Sequence, residues 1–181
     1  MNLQETAITF FNSARKDAQV LCKTAFPPEE QMPFFLLVLK SRRSDNHFTA
    51  YYDDDTFAGI SYCIELADTV YVLYLAVNDQ IRSRGYGSAI LSTIKERYAG
   101  KTLMLEIETL SQSDAENMAQ RQARFSFYER NGFKPTNLRE EDNAVIYDIL
   151  KCGRDISVED MQAAHRNLSS GFRIPKIYEV E

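Results

Sequence analysis

A strand, a basic glycine turn and a helix start follow one another in the middle of the chain. The apolar run Val70 to Val77 predicts a buried strand, and the amphipathic segment Ser88 to Tyr98 predicts a helix. Between them stands the turn Arg82-Ser83-Arg84-Gly85-Tyr86-Gly87-Ser88. Glycines let the backbone approach a ligand, and the free N–H groups at a helix start attract anions. The segment therefore predicts an anion cradle in an α/β fold, although an ordinary strand–helix connection would show the same pattern.

The composition is that of an ordinary globular protein. The 181 residues are 44% hydrophobic and 26% charged, so the chain can form one hydrophobic core without the support of disulfides or structural metals. The formal net charge of -5 argues against a general nucleic-acid binder. The N-terminus lacks the features of a signal peptide, and the most apolar run, Phe34 to Leu39, is too short to span a bilayer. We therefore expect a cytoplasmic protein with no membrane or nucleic-acid partner.

The cysteines and histidines form no recognisable ligand set. Cys22, Cys63 and Cys152 are widely spaced and contain no CxxC pair, which indicates a reducing compartment rather than a disulfide framework. His47 and His165 are isolated in the sequence. A zinc site thus has no obvious ligands, and we expect no metal.

The remaining pattern predicts an α/β chain with a mixed sheet. The predicted elements, in chain order, are a strand Thr6–Phe11, a helix Ser13–Ala25, a helix from Pro28 to about Arg43, strands Phe48–Tyr52, Phe57–Leu66 and Thr69–Val77, the helix Ser88–Tyr98, a strand Thr102–Glu108, a helix capped by Asp114 that ends at Asn131-Gly132, a hairpin of Phe133–Pro135 and Asn143–Leu150 joined by a charged loop, and a tail helix Ser157–Leu168 with Ser157 and Asp160 in capping-box spacing. The strand, helix and strand around the glycine turn predict one parallel strand pair. We expect a single domain over residues 1–181, with its core at about 6–150 and a C-terminal extension at 151–181.

Two segments resemble the GNAT superfamily of acyl-CoA-dependent N-acetyltransferases. Leu75-Ala76-Val77 followed by Arg82-x-x-Gly85-x-Gly87 is similar to the acetyl-CoA motif of that family. Phe127-Tyr128-Glu129-Arg130-Asn131-Gly132-Phe133 is similar to its FYxxxGF signature. The two flank a strand ending in Leu105-Glu106-Ile107, and the resemblance covers roughly residues 6–150. It implies a GNAT-like mixed, partly splayed β-sheet flanked by helices.

The resemblance also implies a binding site for acetyl-CoA, which is a co-substrate. The glycine turn would hold the pyrophosphate of coenzyme A, and the end of the preceding strand would bind the pantetheine arm through its backbone. A backbone N–H near Val77 would polarise the acetyl carbonyl. The cofactor-binding residues implied in this way are Leu75, Ala76, Val77, Arg82, Ser83, Arg84, Gly85, Tyr86, Gly87 and Ser88.

Tyr128 and Glu106 are the catalytic candidates that the resemblance implies. A phenol with a pKa of about 10 is suited to protonate the departing thiolate, although a helix tyrosine that only packs on the sheet would fit the pattern too. Strand alternation places Glu106 and Glu108 on one face, where a carboxylate could deprotonate an incoming ammonium. Glu108, Glu65 or a water are weaker alternatives for the base. Glu106 could equally be a strand carboxylate that is solvated or paired with arginines of the following helix.

Two features depart from the family pattern. Arg121 and Arg124 stand where the family often has Asn and Ala, and the segment Thr109 to Asn117 is added between Glu106 and Tyr128. The arginines could grip a carboxylate or phosphate, or they could pair on the helix surface with Glu116 or Glu129.

The function that the resemblance implies is transfer of an acetyl group to a primary amine by direct attack through a tetrahedral intermediate. The acceptor, a small-molecule or peptide amine, is not encoded in a recognisable way. A non-catalytic acyl-CoA sensor on the same fold is the main alternative. A dinucleotide-binding fold is a poorer one, because the glycine spacing is not GxGxxG. A homodimer through the C-terminal hairpin and tail stays open.

Overall fold

The structure is a computed structural model, and it describes residues 1, 3–112, 115, 117–142, 145–169 and 174–180. Within these ranges the chain forms eight strands and five α-helices. In chain order they are β1 Gln4–Ala7, α1 Ala14–Ala25, α2 Phe34–Lys40, β2 Asn46–Asp53, β3 Thr56–Glu65, β4 Thr69–Val77, α3 Tyr86–Arg97, β5 Thr102–Glu108, α4 Met118–Arg130, β6 Lys134–Asp142, β7 Val145–Cys152, α5 Val158–Ser169 and β8 Lys176–Glu179. None of the described helices has the length and apolar character needed to cross a bilayer.

The strands are ordered β1-β2-β3-β4-β5-β7-β6-β8 in a mixed sheet. β4 and β5 are parallel, which confirms the predicted pair on either side of α3. Their register joins only Thr69–Tyr71 to Thr102–Met104, a short ladder for two strands of this length. The mixed, partly splayed sheet predicted from the sequence is thus the observed fold.

The chain divides into two compact units. The first comprises Met1–Glu65 and Val72–Ala99, and the second comprises Leu66–Tyr71 and Gly100–Glu181. Fully buried aromatic and aliphatic side chains form the core of the first unit: Phe48, Tyr51, Tyr62, Ile60, Ile64, Ile90, Leu91 and Ile94. The core of the second unit contains Leu103, Met104, Leu105, Ile107, Phe133, Ile149 and Leu150. Both cores consist mainly of strand residues, and the central strands β3 and β5 bury consecutive residues, which means that both faces of these strands are covered.

Two predictions for the N-terminal region were wrong in their bounds. The first strand ends at Ala7 rather than Phe11, because the Asn12 amide donates to the Ala7 carbonyl at 2.6 Å and its oxygen accepts from the Thr9 N–H. The helix predicted from Pro28 to about Arg43 is a short 3₁₀ turn at Pro28–Glu30 followed by α2. Pro33 causes this break, since a proline disfavours helical backbone at the residue before it and starts the next helix itself.

The C-terminal region also differs from the sequence prediction. The charged loop predicted inside the closing hairpin is the second half of β6, and the tail adds the strand β8 against it. α3 begins at Tyr86 rather than Ser88, and α4 begins at Met118, whereas Asp114 and Asn143 lie outside the described residues. The capping box of the tail helix is confirmed: the Asp160 N–H donates to Ser157 Oγ, and the Ser157 N–H donates to Asp160 Oδ2.

Candidate active site

The end of β4 is held in place by Asn78. Its N–H donates to the Ala58 carbonyl at 2.9 Å, and its side-chain amide donates to the Phe57 carbonyl at 2.9 Å. Its amide oxygen accepts from the Gln80 N–H and so caps the short 3₁₀ turn that follows. Leu75, Ala76 and Val77 therefore end at a defined position in the first unit, one residue before the chain leaves the sheet.

The glycine turn has the backbone geometry of an open cradle. Ser83 and Gly85 have positive φ values of 64° and 86°, and Gly85 is the N-cap residue of α3. A Cβ built on Gly85 meets no heavy atom within 4 Å, so the turn is open on that side. Because α3 starts at Tyr86, the N–H groups of Tyr86, Gly87 and Ser88 belong to the first helical turn, where no intrahelical acceptor exists. These features fit the phosphates of an extended anionic ligand.

The charged groups of the turn are exposed. Arg82 is ion-paired with Asp79 and keeps 56% of its side chain exposed, and Arg84 is exposed as well. The phenol of Tyr86 donates to Asp53 Oδ2 at 2.8 Å, so one carboxylate of the acidic turn before β3 helps to fix the start of α3. All ten predicted cofactor-binding residues thus lie in the first unit, at the end of β4, in the turn or in the first turn of α3.

A cavity of about 440 Å³ lies in the same unit. Its walls are mainly apolar and include Phe10, Cys22, Phe26, Met32, Phe34 and Tyr74. Tyr74 on β4 ties the wall together, because its phenol donates to the Glu30 carbonyl at 2.6 Å and accepts from the Met32 N–H at 3.0 Å. The segment between α1 and α2 is therefore anchored to the strand that precedes the glycine turn.

Tyr128 is a buried residue of α4 in the second unit. Its ring makes edge contacts with Phe127 and Phe133, at centroid distances of 5.1 and 5.5 Å. Burial raises the pKa of the Tyr128 phenol to about 12, and only the charge of Arg124 works against this shift. The residue thus packs as a core aromatic and also keeps its proton at any ordinary pH, which a general acid needs.

Glu106 lies in a buried cluster of ionisable side chains in the second unit. The Tyr71 phenol donates to Glu106 Oε1 at 2.7 Å, and His165 Nε2 lies 3.2 Å from the same oxygen. His165 Nε2 is also 2.7 Å from Glu140 Oε2. His165 is therefore isolated in the sequence but not in the fold. The expected absence of a metal stays a prediction.

The members of this cluster shift one another's proton affinities. Burial opposes ionisation of Glu106, but the hydrogen bonds and charge of His165, with help from Glu140 and Tyr71, outweigh it and lower the pKa of Glu106. Burial and the nearby charge of Glu106 raise the pKa of Glu140. Burial by itself would lower the pKa of His165, but the two carboxylates outweigh it and raise this pKa to about 10. The cluster therefore holds an ionised Glu106 beside a charged imidazole.

Glu108, not Glu106, is the partner of the two helix arginines. Arg121 Nη2 lies 2.9 Å from Glu108 Oε1, and Arg124 Nη1 lies 2.9 Å from Glu108 Oε2. The expected pairing of these arginines with Glu106 or Glu129 is thus wrong, and Glu116 lies outside the described residues. Burial opposes ionisation of Glu108, but Asn117 and the two arginines outweigh it and lower its pKa. This carboxylate joins β5 to α4 and is a poor proton acceptor.

Glu65, the other alternative base, lies in the first unit. Its Oε2 is 3.2 Å from His47 Nε2, and both side chains are about one-third exposed. Each histidine therefore lies beside a glutamate: His165 is buried with Glu106 and Glu140 in the second unit, and His47 is half-exposed with Glu65 in the first.

The sequence analysis missed His165, Glu140 and Tyr71. One signal for His165 was available: it follows Met161 and Ala164 at the spacing of a single helix face, and all three residues are buried in α5. Glu140 carried no such signal, because it stands in a run of charged residues.

The structure is a mixed α/β sheet with an open glycine turn at the start of α3. The sequence profile of the acetyltransferase (GNAT) domain matches residues 43–135, just over half of the chain. The chain therefore belongs to the GNAT acetyltransferase family. No curated protein sequence matches it.

Solved structures of the same fold cover nearly the whole chain. A protein from Bacteroides thetaiotaomicron assigned to the GNAT acetyltransferases has a TM-score of 0.75 and 23% identity, with 94% of this chain and 99% of that chain covered. A ribosomal-protein-alanine N-acetyltransferase from Escherichia coli has a TM-score of 0.61 and 15% identity, with 88% and 98% covered. An aminoglycoside 6'-N-acetyltransferase complexed with coenzyme A has a TM-score of 0.66 and 17% identity, with 84% and 99% covered. At these identities the likeness establishes the fold.

Proposed function

We propose that this protein is an acetyl-CoA-dependent N-acetyltransferase that moves an acetyl group to a primary amine. The observation that carries the proposal is the open turn with positive φ at Ser83 and Gly85, placed between β4 and the start of α3. In this proposal the backbone N–H groups at the helix start hold the pyrophosphate of coenzyme A, and Arg82 and Arg84 add positive charge. Solved structures of this fold contain coenzyme A or acetyl-CoA.

The proposed reaction is a direct transfer with two protein side chains in acid–base roles. Glu106 takes a proton from the acceptor ammonium, and the free amine attacks the thioester carbonyl. A backbone N–H near Val77 stabilises the oxyanion of the tetrahedral intermediate. Tyr128 then protonates the departing thiolate, and its raised pKa of about 12 keeps the phenol protonated before that step. No covalent enzyme intermediate is required.

We further propose that the apolar cavity beside β4 contributes to acceptor binding. Two solved relatives are named for acetylation of a ribosomal-protein alanine and of an aminoglycoside, so acceptors vary widely on this fold. Here the walls are mainly aromatic and aliphatic, with Arg15 and Lys23 also lining the cavity. An amine with an apolar body suits such walls better than a polycation does.

A non-catalytic acyl-CoA sensor is the second candidate. It is favoured by the finding that each candidate base, Glu106, Glu108 and Glu65, is already engaged by a cationic partner or by a histidine. The sensor would bind acetyl-CoA at the same turn and would need neither Tyr128 nor Glu106.

Turnover separates the two candidates. Purified protein is incubated with acetyl-CoA and a panel of amines, including small amines, amino acids and peptides with free N-termini, and free thiol is followed. Thiol release that depends on one amine, with stoichiometric acetylated product by mass spectrometry, is the expected result. Tight binding of acetyl-CoA in calorimetry without turnover on any amine would favour the sensor instead.

A further inference from the structure

The carboxylate of Glu106 is held by one of its two oxygens. Two hydrogen bonds to this side chain, from the Tyr71 phenol and from His165 Nε2, end on Oε1, and the Glu140 carboxyl bonds it as well. A carboxylate oxygen that accepts two donors has little capacity left for another proton. The second oxygen, Oε2, takes part in neither of the two bonds that end on Oε1.

The two donors come from distant parts of the chain. Tyr71 lies on β4, and His165 lies on α5 in the C-terminal extension, 59 residues after Glu106. The rings of Tyr71 and His165 also contact each other, at a centroid distance of 5.5 Å. Two donors on one oxygen, together with this ring contact, define the orientation of the carboxylate more tightly than either bond alone would.

Glu140 in turn holds the imidazole. Its Oε2 lies 2.7 Å from His165 Nε2, and only 4% of its side chain is exposed, against 13% for Glu106. A carboxylate so enclosed is retained only where it is paired and hydrogen-bonded. Tyr147 on β7 stands opposite Glu140 in the sheet register, and the charged neighbours that act on the imidazole of His165 are Glu106 and Glu140.

We propose that Tyr71, His165 and Glu140 are positioning residues that hold Glu106 by Oε1 so that its other oxygen takes the proton of the acceptor ammonium. In that step an O–H bond forms at Glu106 Oε2 and one N–H bond of the ammonium breaks, which leaves the electron pair on the nitrogen for attack. The proton leaves for solvent after turnover. This proposal rests on the proposed function, since it assigns supporting residues to the same base.

The charge of His165 gives the proposal a measurable consequence. The chain contains two histidines, so a His47→Gln variant assigns both imidazoles in an NMR titration. We expect the imidazole of His165 to stay charged well above pH 8 in the wild type, because two carboxylates share its N–H. In Glu140→Gln its midpoint should move down by at least one pH unit. A wild-type midpoint close to that of an ordinary histidine, about 6.5, would overturn the proposal.

Kinetics test whether the arrangement serves the base. With one acceptor throughout, His165→Gln should lower kcat about tenfold and move the acidic limb of the pH profile of kcat/KM to higher pH, since Glu106 loses its cationic neighbour. Tyr71→Phe should shift the limb in the same direction by a smaller amount. In both variants the KM for acetyl-CoA should stay within twofold of the wild-type value. This result would distinguish a change in the base from a general loss of structure.

His47→Gln is the matched control, because it removes the other histidine–glutamate pair. The pH profile of kcat/KM of this variant should superimpose on that of the wild type. Wild-type turnover combined with superimposable profiles for His165→Gln, Glu140→Gln and His47→Gln would overturn this proposal and leave the proposed function intact. A wild type without turnover on any amine would overturn both. A stoichiometric metal that is lost in His165→Gln would also overturn it, because the imidazole would then not be a proton-bearing donor.

Discussion

Gly59 on β3 faces the backbone carbonyl of Ala76 on β4 with no room for a side chain between them. A Cβ on Gly59 would overlap the Ala76 oxygen and would come within 2.9 Å of the Ile90 side chain on α3. We expect Gly59→Ala to destabilise the protein by about 2 kcal/mol, the range found for overpacked cores. Because the Ala76 backbone belongs to the proposed pantetheine site, acetyl-CoA affinity should fall beyond the loss of stability. Chemical denaturation measures the loss of stability, and calorimetry with coenzyme A measures the affinity. An unchanged affinity would mean that the Ala76 backbone does not bind the cofactor.

Gly85 and Gly100 form a matched pair for testing the phosphate cradle. Both have positive φ, 86° and 89°, and neither would bring a Cβ within 4 Å of another atom. Substitution by Ala should therefore cost each site a similar amount of backbone strain, about 1 kcal/mol. We expect Gly85→Ala to weaken coenzyme A binding about tenfold and Gly100→Ala to leave it unchanged. Equal affinities in the two variants would mean that the turn at Gly85 does not hold the cofactor.

Tyr128 is expected to lose its catalytic role, but not its packing, when only its hydroxyl is removed. Tyr128→Phe keeps the ring contacts with Phe127 and Phe133, so the melting temperature should change little. Loss of a general acid typically costs about a hundredfold in kcat. Tyr98→Phe, which removes another buried phenol of raised pKa, is the control and should keep full turnover. Steady-state kinetics with saturating acetyl-CoA measure the difference, and full activity of Tyr128→Phe at every pH would remove the acid role.

The strands around the glycine turn could be predicted to the residue. Thr69–Val77 and Thr102–Glu108 have the same bounds in the sequence prediction and in the structure. Each is a run of apolar residues after a local turn signal, Asp68 or Gly100-Lys101, so nearby chemistry determines where the strand begins. The position of the cofactor motif followed from the same local signals.

The environment of Glu106 could not be predicted in this way. The stretch Arg139-Glu140-Glu141-Asp142 looks like a loop because its residues are charged, yet it is half of β6. Arg139 pairs with Asp148 on β7, and Glu140 is buried against His165, 25 residues later. Long-range partners of this kind offset the cost of burying charge, and no local pattern in the sequence reports them.

The buried cluster should make the stability of the protein fall as the pH rises above neutrality. The folded state raises the pKa of His165 to about 10, from about 6.5 in an unfolded chain. The folded state therefore binds the proton more tightly, and its contribution is full below pH 6.5 and is lost as the pH rises to about 10. The pKa of Glu140 is also raised in the folded state, so this residue too makes the free energy of unfolding fall as the pH rises, beginning at a lower pH than His165 does. The free energy of unfolding should fall by up to about 1.4 kcal/mol per pH unit in that window.

Urea denaturation at pH 6.5, 8 and 9.5 measures this dependence. In His165→Gln the slope should be much flatter, whereas His47→Gln should keep it. Glu106, whose pKa is lowered, contributes in the opposite sense and only at acid pH, so it does not affect this window. A wild-type stability that is constant or rises between pH 6.5 and 9.5 would contradict the assignment of His165 as a charged, buried residue.

Arg121 and Arg124 bind the same carboxylate, yet their substitution should have unequal effects. Arg121 is 8% exposed and also bonds to the Thr109 carbonyl, the Asn117 amide oxygen and Gln112, whereas one-third of the Arg124 side chain is exposed. Removing one partner of a buried ion pair typically costs 3 to 5 kcal/mol, so we expect about 3 kcal/mol for Arg121→Met. Arg124→Met should cost less than about 1 kcal/mol, as exposed pairs do. Equal losses in denaturation would contradict the assignment of Arg121 as the buried partner of Glu108 and Arg124 as the exposed one.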